Sequence, residues 1–490
     1  MTDMLKVKNL SLDFFFDEKV IDNISFHIKE NTINLLAGKS GCGKSSLLMC
    51  LARVIPETIE ANMTGEILFQ GENIENKNSE HVSGDIAYMF QDPDSQLCTF
   101  TVEDEIAFGL ENMNVDQKKM ESIIDNTLNL VGISNLKYRQ LNKLSGGEKQ
   151  KVALASILAI NPKLILMDEP TANLDPVSTF EIVNLIKKLR DEMGKTIIII
   201  EHKIKEFEHI IDNVIKVENK IAKIVDKCEY IKKYKESQVL PIREHKKYST
   251  KDPVLEVKDL CYAYSKNHNV LNNINFTLNK GEITALVGYN GAGKSTLTKL
   301  LIGFIKPFTG QIILNNKKLH KLNPREIGEN MGLVFQNPEH QFIKMTVEKE
   351  LSLSLEIKGL DEKDINEKTK SYLRRFDLLK NSKDNPFLLS QGQKRRLSTA
   401  SMMINGQSIL VLDEPTYGQD KDNMKELVEL LYKVNEEGIS ILIISHDMDL
   451  VSSCCDKVIH LDKGEIIYEG RDIDIVEELF LQKRRAINEQ

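Results

Sequence analysis

Two stretches of the chain carry residue types suited to holding the phosphates of a nucleotide, GKSGCGKSS at 38–46 and GYNGAGKST at 288–296. Both satisfy G-x-x-x-x-G-K-[ST]. The glycines let successive backbone N–H groups turn inward around phosphate oxygens, and a following helix presents its positive end to them. The candidate binding residues are Gly38, Lys39, Ser40, Gly41, Cys42, Gly43, Lys44, Ser45 and Ser46 in one copy. In the other they are Gly288, Tyr289, Asn290, Gly291, Ala292, Gly293, Lys294, Ser295 and Thr296. Lys44 and Lys294 would reach the β- and γ-phosphates, and the Ser45 and Ser295 hydroxyls would hold Mg²⁺. A plain glycine turn into a helix is the bland alternative. Two copies, each after a strand-like apolar run, argue against it.

A second chemical phrase follows each loop, LMDEP at 166–170 and VLDEP at 411–415. Asp168 and Asp413, ending apolar strands, are candidate Mg²⁺ ligands. Glu169 and Glu414, one residue on, are placed to polarise an attacking water as general bases.

The elements that must position these groups are written twice. VKNLSLDFFFDEKVIDNISF (7–26) aligns without a gap on VKDLCYAYSKNHNVLNNINF (257–276). YMFQDPDSQL (88–97) answers LVFQNPEHQF (333–342), and LSGGEKQK (144–151) answers LSQGQKRR (389–396). IIIIEHK (197–203) answers ILIISHD (441–447). Blocks in the same order describe a tandem duplication of a domain of roughly 230 residues. We expect domains at 1–235 and 253–490 with a linker at 236–252. The charged stretch 228–253, with two prolines and no clear apolar period, reads as surface linker. Continuous apolar runs such as INLLAG, ITALVG and TIIIIEH suit strands buried on both faces of a parallel sheet. With helical patterns between them, the fold class is α/β, ligands lying at the carboxyl ends of the strands.

Composition bounds the rest. At 490 residues with 41% hydrophobic and 28% charged residues, the chain reads as soluble and globular. Its net charge of −8 argues against a dedicated nucleic-acid binder. No apolar run approaches the ~18 residues of a membrane span, and the start shows no secretory signal. Seven cysteines without regular spacing read as reduced thiols. The adjacent Cys454 and Cys455 are either a redox pair or small buried helix residues.

With LSGGE, Gln91, Gln336, His202 and His446 in order, nearly the whole chain resembles the ABC-type ATPases. The resemblance implies tandem phosphate-loop (P-loop NTPase) domains, each with a mainly parallel core sheet, a helical subdomain and a small antiparallel sheet. It implies that the halves pair head to tail and sandwich two ATP molecules with Mg²⁺. Ser145, Gly146 and Gly147 would cover the ATP held by Lys294; Ser390, Gln391 and Gly392 would cover that held by Lys44. Phe14 and Tyr264 match the position of an adenine-stacking ring, with Phe15 and Phe16 as neighbouring candidates. Gln91 and Gln336 match a glutamine that reports on Mg²⁺ and the attacking water, and His202 and His446 a histidine that contacts the γ-phosphate. Asp175 and Asp420 match an interface aspartate, although TYGQD departs from the usual spelling. Gln391 adds bulk where the family has glycine, so two active sites of unequal rate are expected.

The phrase FQ-x-P-x-x-Q-[LF] followed by TV-x-x-E, present in both halves, is similar to the ATPases of energy-coupling factor (ECF) and cobalt–nickel importers. That resemblance implies a peripheral ATPase at the cytoplasmic face of the membrane, serving vitamin, vitamin-precursor or transition-metal uptake. Its partners would be an integral-membrane coupling subunit and a substrate-binding membrane subunit. Asp92, Asp94 and Glu339 would accept arginines from the partner, or are simply solvated acidic helix starts. Two alternatives remain: the fused ATPase of a sugar importer, whose second phosphate loop is usually degraded, and a soluble ribosome-associated ABC protein, which carries a longer charged linker. DNA-repair relatives insert a long coiled coil for which the interval from Lys44 to Ser145 is too short.

Overall fold

In a computed structural model of the chain, the structure describes all residues except 1–2, 15–18, 77–83, 173, 238–239, 242–251, 266–267, 417–420 and 489–490. Its contacts divide it into two units, residues 1–239 and 240–490.

The apolar runs become the core strands of each unit. In the first, a six-stranded sheet runs in the order Ile221–Val225, Asn213–Glu218, Ile33–Ala37, Thr196–Ile200, Leu164–Asp168, Ile86–Met89. All neighbours are parallel except the first pair. Side chains alternate across a strand, so Leu35 enters one hydrophobic cluster and Leu36 the other. Both faces are covered, which is why the sequence shows unbroken apolar runs. The second unit repeats this with Met331–Val334, Ile409–Asp413, Ser440–Ile444, Ile283–Gly288, Lys457–Asp462 and Glu465–Gly470. Each unit also carries a four-stranded antiparallel sheet, built on Asp3–Asp13 in one and Pro253–Ser265 in the other.

Between the strands ending at Met89 and starting at Leu164 lie the helices Val102–Asn112, Gln117–Val131 and Gly146–Ala159. Their counterparts are Val347–Lys358, Glu362–Arg375 and Gln391–Met403. The LSGGE and LSQGQ phrases supply the start of the last helix in each trio. Ser145 and Ser390 are N-caps in full capping boxes with Glu148 and Gln393.

One expectation is corrected. The stretch read as linker from residue 228 begins with a helix, Lys227–Ser237. Ile231 is buried, Tyr230 and Tyr234 pack on the core, and the Tyr234 hydroxyl donates to the His202 carbonyl at 2.5 Å. Three apolar side chains among many charges gave too thin a stripe to read. Cys454 and Cys455 are buried free thiols at the end of the helix Met448–Cys454. The neighbouring Cys454 sulfur and then burial push the Cys455 thiol well above its usual range, and both side chains are buried, as packed thiols are. No helix among the described residues is long and apolar enough to cross a membrane.

Candidate active site

Each phosphate loop links a buried strand to a helix, Ile33–Ala37 to Lys44–Leu51 and Ile283–Gly288 to Lys294–Leu301. The glycine before each lysine adopts φ of 95° (Gly43) and 106° (Gly293), a region that side chains rarely tolerate. At the loop's start, a Cβ on Gly38 or Gly288 would overlap the carbonyl oxygen of Val217 or Leu461. The lysines fold back on their own loops. Lys44 Nζ donates to the Gly38 and Lys39 carbonyls at 2.9 and 2.8 Å, and Lys294 Nζ to the Gly288 and Tyr289 carbonyls at 2.8 and 3.1 Å. A phosphate entering either loop would take over an ammonium already centred in it. Tyr289 is also part of a ring cluster with His460 and Phe480.

The strands Leu164–Asp168 and Ile409–Asp413 end at the acidic pairs. Glu169 and Glu414 hold φ of 47° and 44°, the left-handed region, in a residue type that gains nothing from it. Strain repeated at the same position of both units marks a functional turn. Glu169 accepts from Gln91 Nε2 at 3.0 Å and faces His202 Nε2 at 3.0 Å. Glu414 faces His446 through Nδ1 at 2.9 Å. The structure therefore gathers glutamate, glutamine and histidine in the first unit, and glutamate and histidine in the second. The His202 imidazole loses by burial but gains more from the Glu169 carboxylate, so its pKa is raised. Burial pushes Glu414 up, but His446 and Lys294 outweigh it and hold it below the usual carboxylate range.

The aspartates test whether Mg²⁺ fits. Asp168 is pushed up by burial, despite the Ser45 hydroxyl and Lys44 beside it. Its Oδ2 accepts from Tyr88 at 3.2 Å, while Oδ1 is buried without a hydrogen-bond partner among the described residues. Burial and then the charge of Glu414 push Asp413 to about 6. Buried carboxylate oxygen beside a serine hydroxyl, held above its normal range, is the donor set a hard divalent cation would stabilise.

The remaining predicted residues fall as follows. Tyr264 is 60% exposed, with its hydroxyl 3.3 Å from Thr296 Oγ1, so a flat face stands beside the helix that follows the second phosphate loop. Phe14 is half-buried against the core of its unit; Phe15 and Phe16 lie outside the described residues. Asp175 is buried and caps the helix Pro176–Asp191 by accepting from Val177 and Ser178 N–H, both at 2.9 Å. Asp420 lies outside the described residues. A Cβ at Gly146 would meet nothing within 4 Å. Glycine there is thus not required by the surrounding fold, and Gln391 is tolerated at the matching position.

The FQ-x-P-x-x-Q…TV-x-x-E phrase proves to be the internal bonding of one loop. Gln96 and Gln341 accept from Phe90 and Phe335 N–H, each at 3.3 Å. Pro93 and Pro338 start a 3₁₀ turn capped by Asp92 and Asn337. Buried Glu105 and Glu350 then bind the next bend. Glu105 accepts from Cys98 and Thr99 N–H at 3.0 Å, and Glu350 from Ile343 and Lys344 N–H at 2.8 and 2.7 Å. So held, the bend turns Phe100 (86% exposed) outward in the first unit and Ile343 and Met345 (74% and 70%) in the second. Tyr138, in the turn before Gln140, and Leu388, at the end of the 3₁₀ turn Pro386–Leu388, are also exposed.

Asp94 and Glu339 are engaged within the chain, a pairing that neither sequence reading anticipated. Asp94 meets Lys149 at 2.5 Å and Glu339 meets Lys394 at 2.6 Å, tying each glutamine loop to the helix after the LSGGE-type phrase. Sequence reasoning also missed Arg395, which donates to the Phe335 and Gln336 carbonyls at 2.8 and 2.9 Å, whereas the first unit has Gln150 there. The signal was the difference between QKRR and EKQK.

The family model for the ABC transporter matches residues 21–172 and 271–417, spanning a phosphate loop and an acidic pair in each unit. The chain belongs to the ABC transporter ATPases. Members of this family bind ATP, with Mg²⁺ generally, and couple its hydrolysis to transport, so the chain is an ATPase. Among relatives, the putative HMP/thiamine import ATP-binding protein YkoD of Bacillus subtilis is 39% identical, covering 96% of this chain and 91% of that protein. A putative ABC transporter ATP-binding protein of Bacillus cereus is 34% identical, over 92% of this chain and 87% of that one. A solved structure of cbiO1 from Clostridium perfringens, part of the ABC transporter complex cbiONQ, is 32% identical. It has a TM-score of 0.45 and covers 48% of this chain and 94% of that one.

Proposed function

We propose that this ABC ATPase powers an importer of the energy-coupling factor type, through a separate integral-membrane coupling subunit and a substrate-binding membrane subunit. The observation that carries the reading is the exposed apolar bend beside the glutamine loop, present in both units and held by buried Glu105 and Glu350. Large apolar side chains kept in water by a dedicated hydrogen-bonded scaffold suit partner helices. The name of the Bacillus subtilis relative favours the vitamin class of cargo over metal ions. The ATPase would sit peripherally at the cytoplasmic face of the membrane.

In this reading residues 1–235 and 253–490 are the two ATPase domains, with 236–252 between them. Lys44 and Lys294 bind the β- and γ-phosphates, and the aromatic faces of Phe14 and Tyr264 receive the adenines. Ser45, Asp168 and Gln91, and Ser295, Asp413 and Gln336, hold Mg²⁺, which neutralises phosphate charge when bound. Glu169 and Glu414 take a proton from the attacking water, and His202 and His446 orient the γ-phosphate. Ser145, Gly146 and Gly147 close over the ATP held by Lys294. Ser390, Gln391 and Gly392 close over the ATP held by Lys44.

An affinity pull-down of the tagged chain from detergent-solubilised membranes tests the partner assignment. A small multi-helix protein and a second membrane protein should copurify, and Phe100→Glu with Met345→Glu should release both. Recovery with ribosomes, or alone, would overturn the reading. Replacing Gln391 by glycine should speed turnover at the Lys44 site by roughly fivefold, the effect of about 1 kcal/mol on the barrier. An unchanged rate would remove Gln391 as the source of unequal sites.

A further inference from the structure

The first unit contains a buried acid that the roles above leave unused. Glu201 is 4% exposed, directly before His202, at the end of a central strand. Both carboxylate oxygens are occupied. Oε1 accepts from Thr171 N–H at 2.9 Å and from the Thr171 hydroxyl at 2.5 Å; Oε2 accepts from His202 and Lys203 N–H at 3.1 and 3.4 Å. Lys203 reaches over the same segment, its Nζ donating to the Thr171 and Leu174 carbonyls, both at 3.2 Å. A buried carboxylate is costly unless donors surround it, and here four donors and an ammonium do so. Every one of these bonds joins the histidine turn to itself or to the segment between Glu169 and Asp175.

The second unit lacks these groups. The matching residues are Ser445 and Asp447, and they bond within their own turn. Ser445 Oγ accepts from Asp447 N–H at 3.0 Å, and Asp447 caps the following helix by accepting from Leu450 N–H at 3.2 Å. Neither residue type can supply a carboxylate at 445 or an ammonium at 447.

We propose that Glu201 and Lys203 are positioning residues that clamp Thr171 and Leu174 to the histidine turn, so that in the first unit Glu169, His202 and the approach to Asp175 move as one body. The clamp builds a difference between the two sites that is independent of Gln391. It rests on the reading of His202 as a γ-phosphate contact. A histidine that shifts when the γ-phosphate leaves would carry Thr171 and Leu174 with it in the first unit, whereas the second has neither the carboxylate nor the ammonium that makes this link.

The test uses the full chain with Glu201→Ser and Lys203→Asp together, the second unit's own spelling. Two readouts are taken: hydrogen exchange of peptides covering 169–176, and steady-state ATP hydrolysis. Amide exchange in 169–176 should speed by roughly tenfold or more as the local opening becomes easier. kcat should fall severalfold with KM within about threefold, because binding groups are untouched while the aligned state becomes rarer. Glu201→Gln serves if the double variant does not fold. It keeps the shape and the Thr171 contacts, but sets an amide donor against two N–H donors, and should show the same directions more weakly. Unchanged exchange, or faster exchange with unchanged kcat, overturns the clamp. Unchanged hydrolysis in His202→Ala overturns the role assigned to His202, and with it the purpose of the clamp.

Discussion

Exchanging Glu169 for glutamine should lower hydrolysis at its site by about 10²–10⁴-fold, the range for loss of a positioned general base, while ATP binding persists. The substitution keeps the shape of the side chain. Glu169 accepts from Gln91 Nε2 at 3.0 Å and faces His202 Nε2 at 3.0 Å, so an amide retains part of this network but cannot take a proton from water. The backbone at φ 47° is indifferent to the change, so stability should move little. Glu414→Gln probes the other site, whose glutamate is held below the usual carboxylate range by His446 and Lys294 against the push of burial. Steady-state rates of the two single variants and the double one measure each site's share. The double variant should retain binding of ATP and almost no turnover. Equal losses from the two single changes would remove the expected inequality between sites. Full activity in either would leave that glutamate without a catalytic part.

The readable part of this molecule is local in sequence. A phosphate loop needs a strand, a glycine turn and a helix in direct succession, so Gly38 to Ser46 can be placed without tertiary contacts. The acidic pairs also follow directly on their strands, and the repeat supplied an internal check on each assignment. Groups acting across long sequence intervals were not legible. Glu201 matters through Thr171, thirty positions earlier, and Lys149 through Asp94, 55 positions away. Arg395 braces carbonyls about sixty residues back. EHK against SHD and QKRR against EKQK were visible as differences, but only the fold says what each touches. The helix Lys227–Ser237 was missed for another reason: its charged face dominates the composition, and its stability comes from three side chains meeting a core that the sequence could not show. The FQ-x-P-x-x-Q phrase lay between these cases. Its likeness to a transporter family was legible, but its role as the hydrogen-bonded scaffold of an exposed apolar bend was not.

Asp413→Asn should stabilise the ligand-free chain while abolishing turnover at its site, the two effects having one cause. Burial and the neighbouring Glu414 charge outweigh Lys294 and Arg395, and carry the Asp413 pKa from 3.8 to about 6. The folded state therefore holds this proton more tightly than the unfolded chain. Between those two values folding binds a proton, so stability falls as pH rises through the interval, and the cost is fully present above about pH 6. Its upper size is on the order of 3 kcal/mol, less where solvent reaches the carboxyl. An asparagine removes the charge, so the variant should gain about 1–3 kcal/mol at pH 7, roughly 2–10 °C in the Tm of a unit of this size. As pH falls through 3.8 the gain should fade, since the wild-type carboxyl then becomes neutral in the unfolded chain as well as in the folded one. Mg²⁺ with ATP should reverse the order, raising the wild-type Tm more than that of the variant, because only the wild type offers a carboxylate to the cation. Calorimetry of both proteins at pH 4 and pH 7, with and without Mg²⁺ and ATP, reads all of this. A variant less stable than wild type at pH 7, or equally stabilised by Mg²⁺ and ATP, would mean that the Asp413 charge is already satisfied within the fold. Strain at this aspartate is what a metal-binding site stores before its cation arrives.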